Sequence, residues 1–410
     1  MNHRRHAHGF SLIELLIASA IAIALISAAI SVGLQLQRRG VLEERTMETQ
    51  NAARAARDLF AFGVQRAGAG AGSSPLAIGN TPASRPDLRY PVWVTTQPDF
   101  ATDPSFALPS GPYQDLRSDV LRIWETDPGN MLRLVACQSG TFAWTGNRLC
   151  TQTRPPEGLK NLLVAVVAPH GAGGKRPIAC VGMLGSTFDQ TINPPLDSEY
   201  SVDFSPGVPG LPALASTHEC GAPPVASGLD GGGGVPLQLW DAPDLYVMPI
   251  TARDFRVNWK GGAPALEMDS DGFIPDAGFA VVSRDIERLQ VFLGVVPTDQ
   301  SDAGVLLFPD AVTGRPALDT CTFSSCSPFI TWDAGTVVSA DEGPDTPRDK
   351  LMQRVRLVEL RITARSARLD RLADLATDGG LDDDGNIQDG YKRRHSVIRL
   401  SPRNFGYAGQ

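Results

Sequence analysis

The sequence predicts an α+β fold in which one long N-terminal helix packs on an antiparallel β-sheet body with long loops. Three observations predict it. Leu15 to Gln37 contains no charged residue, and no proline interrupts the chain from Phe10 to Arg66. Past Gln37 apolar residues recur near helical spacing between charges. From about residue 76 onward, short alternating runs of Val, Ile, Leu and aromatic residues are separated by stretches rich in glycine and proline.

Composition bounds what such a chain does. With 410 residues, 42% hydrophobic and 20% charged, it is globular and long enough for one large core or two modest ones. The formal net charge is −8, and loss of the first nine residues, which carry Arg4 and Arg5 and no acid, would take it to −10. A broad surface of that sign repels polyphosphate, so no nucleic-acid partner is expected.

The helix begins with the sharpest signal. Residues 1–9 read MNHRRHAHG, Phe10-Ser11-Leu12-Ile13-Glu14 follows, and then the uncharged run. Its 23 residues, at 1.5 Å rise, span about 34 Å, enough to cross a hydrocarbon core with some tilt. Arg4 and Arg5 before it predict that the N-terminus stays cytoplasmic and the rest lies outside. A cleaved signal peptide ending near Ala22-Ile23-Ala24 is one competing reading, but the apolar run continues past that point and Glu14 interrupts its start. A plain signal anchor leaves Glu14 unexplained, since a carboxylate in lipid costs a few kcal/mol unless paired or near the interface. A buried helix of a soluble domain is disfavoured by a run so long and so uniformly apolar.

The segment GFSLIELLIA, Gly9 to Ala18, resembles the processing site of type IV prepilins and of the pseudopilins of type II secretion. The resemblance implies that a prepilin peptidase cuts after Gly9 and methylates Phe10, and that Glu14 is the fifth mature residue. In the bilayer, Glu14 of an incoming subunit would then pair with the freed amine of a neighbour, so that both charges are neutralised together. On this reading residues 1–9 are the leader and 10–37 the transmembrane half of the helix.

Residues 38–67 form the amphipathic half. Val41, Leu42, Met47, Ala52, Ala53, Ala56, Leu59, Phe60 and Val64 alternate with Arg38, Arg39, Glu43, Glu44, Arg54, Arg57 and Asp58, which places one face on a globular body. The run from Gly68 to Gly72, followed by Pro75, is the stop. The body, 76–410, reads as strands at Tyr90–Thr95, Asp119–Trp124, Met131–Ala136, Leu162–Val167, Leu245–Ile250, Phe255–Trp259, Leu289–Leu293, Arg354–Thr363 and Ser396–Leu400. Ser201–Pro236 and Pro297–Gly343 read as long surface loops or insertions.

Several of these segments, in order, resemble the large minor pilins of the PilW family. They are Arg57 to Gly68 at the helix end, Ser118 to Ile123, Asp285 to Val291 with Gly294, Val355 to Ile362, and Tyr391 to Leu400 with Arg403 and Asn404. The inserted loops and cysteine spacings have no counterpart in that pattern. The resemblance implies a low-copy pilin that helps initiate or cap a type IV pilus, supporting adhesion, twitching motility or DNA uptake. Its partners would be the prepilin peptidase, other minor pilins, the major pilin, the inner-membrane assembly platform and, before assembly, membrane lipid. A large pseudopilin of type II secretion and a membrane-anchored calcium-dependent adhesin are the alternatives.

The remaining chemistry is sparse. Cys137, Cys150, Cys180, Cys220, Cys321 and Cys326 show no CxxC spacing, which argues against zinc and redox motifs. In an exported body their even number suits disulfides, and proximity suggests Cys137–Cys150, Cys180–Cys220 and Cys321–Cys326, with other connectivities open. His170, His218 and His395 lie in no G-x-S-x-G or HExxH context, and Gly231 to Gly234 lacks the Lys-Ser/Thr of a phosphate loop. No catalysis and no cofactor are expected. The acidic turns Asp269-Ser270-Asp271-Gly272 and Asp382-Asp383-Asp384-Gly385-Asn386 with Asp389 carry the alternating carboxylates that suit calcium, but neither completes an EF-hand loop. No metal is therefore assigned.

Overall fold

The computed structural model describes residues 11–72, 74–80, 86–100, 103–137, 143–145, 147–168, 178–193, 197–214, 220, 245–270, 278–296, 304–330, 346–366, 387 and 389–403. The chain divides into two units, residues 1–51 with 366–393 and residues 52–365 with 394–410. Helix α1 runs from Leu12 to Arg66. A long apolar helix followed by a β-rich body is the α+β arrangement of a pilin-like fold.

In the first unit α1 is built from Leu, Ile and Ala, and none of its most apolar stretch is buried. That length and composition suffice to cross a membrane. In the later residues of this unit, Arg393 donates to both oxygens of Asp389 at 2.7 Å. Ser366 and Lys392 are joined by hydrogen bonds at 2.8 and 3.1 Å.

In the second unit the last turns of α1 bury Ala53, Ala56, Phe60, Val64 and Ala67, spaced three or four apart as one helix face requires. They pack on Val92, Val94, Leu121, Ile123, Phe255 and Val257. The Phe60 ring meets that of Phe255 edge-on at 4.9 Å. Burial of each larger side chain contributes about 1.5–3 kcal/mol. Gly68 ends the helix at φ +72, donating to the Trp124 carbonyl at 3.0 Å. A side chain there would run into the Gly72 carbonyl, so glycine is required.

The strands in chain order are β1 (Leu76–Asn80), β2 (Pro86–Arg89), β3 (Val92–Thr95), β4 (Val120–Thr126), β5 (Leu132–Arg133), β6 (Trp144–Thr145), β7 (Arg148–Thr151), β8 (Leu163–Ala168), β9 (Ile178–Asn193), β10 (Asp197–Pro206), β11 (Tyr246–Asn258), β12 (Ala265–Asp269), β13 (Ala280–Ser283), β14 (Ile286–Val295), β15 (Leu306–Phe308), β16 (Val355–Arg365) and β17 (Arg393–Leu400). Two short helices, α2 (Phe323–Cys326) and α3 (Thr346–Gln353), precede β16. Among the described residues one sheet runs β13-β12-β11-β8-β9-β10-β7-β6, with β1 to β5 attached beside that path, and a four-stranded sheet runs β15-β14-β16-β17. β1 joins β9 in parallel, the one exception to an otherwise antiparallel set of described pairings. Among the described residues three buried clusters line these sheets.

Three strand readings need correction. The expected strands Leu245–Ile250 and Phe255–Trp259 are one strand, β11. Its polar centre looks like a break in sequence, but Arg122 sits directly opposite Asp254 and pairs with it, and Arg253 pairs with Glu125 at 2.9 Å. Those ion pairs let charged residues occupy a continuous ladder. β11 pairs with β8 over Tyr246–Pro249 and with β4 over Ile250–Phe255. Ser201–Pro236 reads in sequence as a long surface loop or insertion, and its first six residues belong to β10, which pairs with β9 in a long hairpin absent from the expected strand set. Met131–Ala136 is reduced to the two-residue β5, paired with Tyr246 and Val247 of β11, and beyond it Leu134 donates to the Leu245 carbonyl and bridges Thr151.

Two buried polar clusters hold this unit together. Arg256, 1% exposed, donates to Asp103 at 2.6 Å and to Glu267 at 2.8 Å, with the Phe279 ring 3.7 Å from its guanidinium carbon. Burial pushes the Asp103 carboxyl up, but hydrogen bonds from Ser105 and Arg256 outweigh it and hold it below the ordinary range. Asp119 joins the two sheets. Its N–H donates to the Leu289 carbonyl at 2.8 Å, and its carboxylate accepts from Val291 N–H at 2.8 Å and Gln97 N–H at 3.2 Å. Burial raises its pKa to about 6, against the opposing effect of those two N–H groups.

Candidate functional site

The head of α1 is where the sequence concentrates its chemistry, and local rules explain its shape. Ser11 lies just outside the helix, and its carbonyl accepts the first helical bond, from Leu15 N–H at 3.2 Å. The Ser11 N–H donates to Glu14 Oε2 at 3.1 Å, and the Glu14 N–H donates to Ser11 Oγ at 3.4 Å. This reciprocal capping box satisfies two backbone donors that the first turn leaves without helical acceptors. A carboxylate here also faces the positive end of the helix dipole. Both effects matter more in lipid, where water cannot supply the missing partners.

Glu14 is thus an exposed acid fixed three residues into the helix, directly before the uncharged run. Sequence reasoning singled out Glu14 but missed Ser11. The S-x-x-E spacing ahead of an apolar run was the signal that identifies such a cap. Arg4, Arg5, Gly9 and Phe10 lie outside the described residues, so the geometry of the expected cleavage site is not part of the structure.

The other singled-out residues do not converge on this point. Disulfides join Cys137 to Cys150, Cys180 to Cys220 and Cys321 to Cys326, with Cα separations of 5.3, 5.4 and 5.9 Å. All six cysteines are buried. Asp269 is buried at the end of β12, while Asp271, Gly272 and 382–386 lie outside the described residues. The Asp389 carboxylate is engaged by Arg393. Among the described residues no group of three or more His, Cys, Asp or Glu is placed to hold a metal. His395 is bonded to Thr363 Oγ1 at 3.0 Å through Nδ1, and His170 and His218 lie outside the described residues.

Comparison with known proteins bears on the same end of the chain. Residues 4–30 match the family model of the prokaryotic N-terminal methylation motif. No curated protein and no solved structure matches the chain. The matched segment contains Gly9, Phe10, the Ser11–Glu14 cap and the uncharged run as far as Ile30. Together with the long apolar helix and the β-rich body, it supports a type IV pilin-like or pseudopilin-like protein with a structural role.

Proposed function

We propose that the chain is a low-copy minor pilin, PilW-like, that helps initiate or cap a type IV pilus and so serves adhesion, twitching motility or DNA uptake. The observation that carries this reading is the capped Glu14 at the head of an uncharged span, inside a methylation motif. In this proposal residues 1–9 are a leader removed by prepilin peptidase, 10–37 cross the inner membrane with the N-terminus inside, 38–67 are the amphipathic half of the helix, and 76–410 are the body in the periplasm. Cleavage after Gly9 frees the Phe10 amine, which is then methylated. In lipid an amine and a carboxylate each carry a desolvation cost that pairing offsets, so the amine of one subunit and Glu14 of the next are stabilised by coming together. Assembly therefore lowers the free energy of both groups, and the filament is rooted in the membrane until its subunits are extracted. The scattered PilW-like strands favour the pilus over the pseudopilus. Disulfides among all six cysteines suit an oxidising periplasm.

Mass spectrometry of the mature protein tests the reading. The expected first residue is N-methylated Phe10. A chain that still begins at Met1, or that begins beyond Ala24, would refute it. Neighbouring genes for pilus or secretion components then decide between the pilus and the type II secretion pseudopilus.

A further inference from the structure

The outer face of the four-stranded sheet carries a charge pattern opposite in sign to the chain as a whole. Leu289, Val291, Leu293, Val358, Leu360 and Ile362 point into the core, so the residues between them point outward. β14 and β16 set Arg288 beside Thr363, Gln290 beside Arg361 and Phe292 beside Glu359. On the other side, the contacts Thr363 with His395 and Glu359 with Arg399 align β17. Among the described residues Arg288, Arg361, Arg399 and His395 share this face with Glu359, and Arg288 is also acted on by Asp119 and Asp115, so the surplus rests on Arg361 and Arg399.

That acid is enclosed. Glu359 is 1% exposed, and Arg361 and Arg399 both donate to it at 2.9 Å, each to a different oxygen. Burial pushes its carboxyl up, yet the two guanidiniums outweigh this and keep it below the ordinary range. One carboxylate cannot neutralise two guanidiniums, and the side chains of Arg361 and Arg399 are 47% and 68% exposed. Arg361 is further held 4.1 Å over the Phe292 ring, and Val397, two residues before Arg399 on β17, is 59% exposed. The two forks are therefore preorganised, and an apolar side chain stands beside them.

We propose that this face docks an acidic surface of another filament subunit, a reading that rests on the chain being a filament component. A filament needs heterologous contacts, in which two different patches meet, because self-complementary patches close into dimers. A basic face on a chain of net charge −8 is one half of such a contact. Arginine forks match carboxylates in paired geometry. The company of Phe292 and Val397 favours a protein surface over a polyphosphate, since interface cores combine arginine with aromatic and apolar groups.

The test places a photo-crosslinking amino acid at Val397 in the full-length chain, expressed in its own cells. The expected adduct joins it to a subunit that mass spectrometry identifies by its own processed prepilin N-terminus. The triple variant Glu359→Gln, Arg361→Gln, Arg399→Gln removes the charges together and leaves no orphaned buried carboxylate. It is expected to lower the adduct at least about tenfold, and raised salt should weaken the wild-type adduct in the same direction. A processed chain that gives no such adduct, an adduct indifferent to both salt and the triple variant, or capture of nucleic acid instead overturns this inference alone. An unprocessed N-terminus overturns the filament reading together with it.

Discussion

Glu14→Gln separates two roles that the head of α1 assigns to one side chain. Glutamine still presents an oxygen to the Ser11 N–H, now 3.1 Å from Glu14 Oε2, so the capping box survives. What is lost is the negative charge. If the carboxylate only caps its own helix, the variant behaves as wild type. If it pairs with a neighbour's amine in lipid, removing one partner of a buried pair costs about 3–5 kcal/mol. At about 1.4 kcal/mol per factor of ten, incorporation should then fall at least about a hundredfold. Ser11→Ala does the reverse. It removes the hydroxyl acceptor of a bond already long at 3.4 Å, keeps the charge, and should cost about 0.5 kcal/mol, a loss of only about two- to threefold. The assay is the ratio of subunit in sheared filaments to subunit in membranes, with mass spectrometry confirming that each variant is cleaved after Gly9. Wild-type incorporation of Glu14→Gln would refute the pairing argument, and together with a small loss in Ser11→Ala it would reduce Glu14 to a helix cap.

Three further outcomes follow from the body. Arg256→Ala strands the buried Asp103 and Glu267 carboxylates without their cation, and should destabilise the protein by about 3–5 kcal/mol in urea unfolding of the detergent-solubilised chain. Adding Asp103→Asn and Glu267→Gln should restore much of that loss, and no restoration would contradict the ion-pair account. Asp119 makes stability depend on pH. Its folded pKa of about 6 exceeds the ordinary 3.8, so its contribution is fully present below about pH 4 and is lost as pH rises through 6, by up to about 3 kcal/mol. Asp119→Asn should flatten that part of the stability profile, and an unchanged slope would show that another group titrates. Among the disulfides, loop length ranks the effect of removal. Replacing both cysteines by serine should cost about 4 kcal/mol at Cys180–Cys220, about 3 at Cys137–Cys150 and about 2 at Cys321–Cys326, whose sequence separations are 40, 13 and 5.

The fold class was legible because its two halves use different periods. An unbroken apolar run without proline admits little but a helix, and the glycines from Gly68 to Gly72 end it where the described helix ends. Strands with one face in a core, such as β4, β14 and β16, were legible for the same reason, since alternation at period two survives in the sequence. What failed to show was anything set by a partner far along the chain. The polar centre of β11 reads as a turn until Arg122 is placed opposite Asp254, 132 residues away. β10 does alternate, with Tyr200, Val202 and Phe204 between Ser201, Asp203 and Ser205, but the glycine- and proline-rich stretch after it hides the signal, and β9 shows no such alternation and is fixed by its partners β8 and β10. The basic face divides in the same way. Arg361 and Arg399 lie 38 positions apart in sequence, and nothing in either segment says that they share Glu359. Only when β16 and β17 lie side by side does one buried acid acquire two guanidiniums. The stretch from Lys392 to Arg403 is visibly basic in sequence, but the clamp of two guanidiniums on one carboxylate exists only in the sheet.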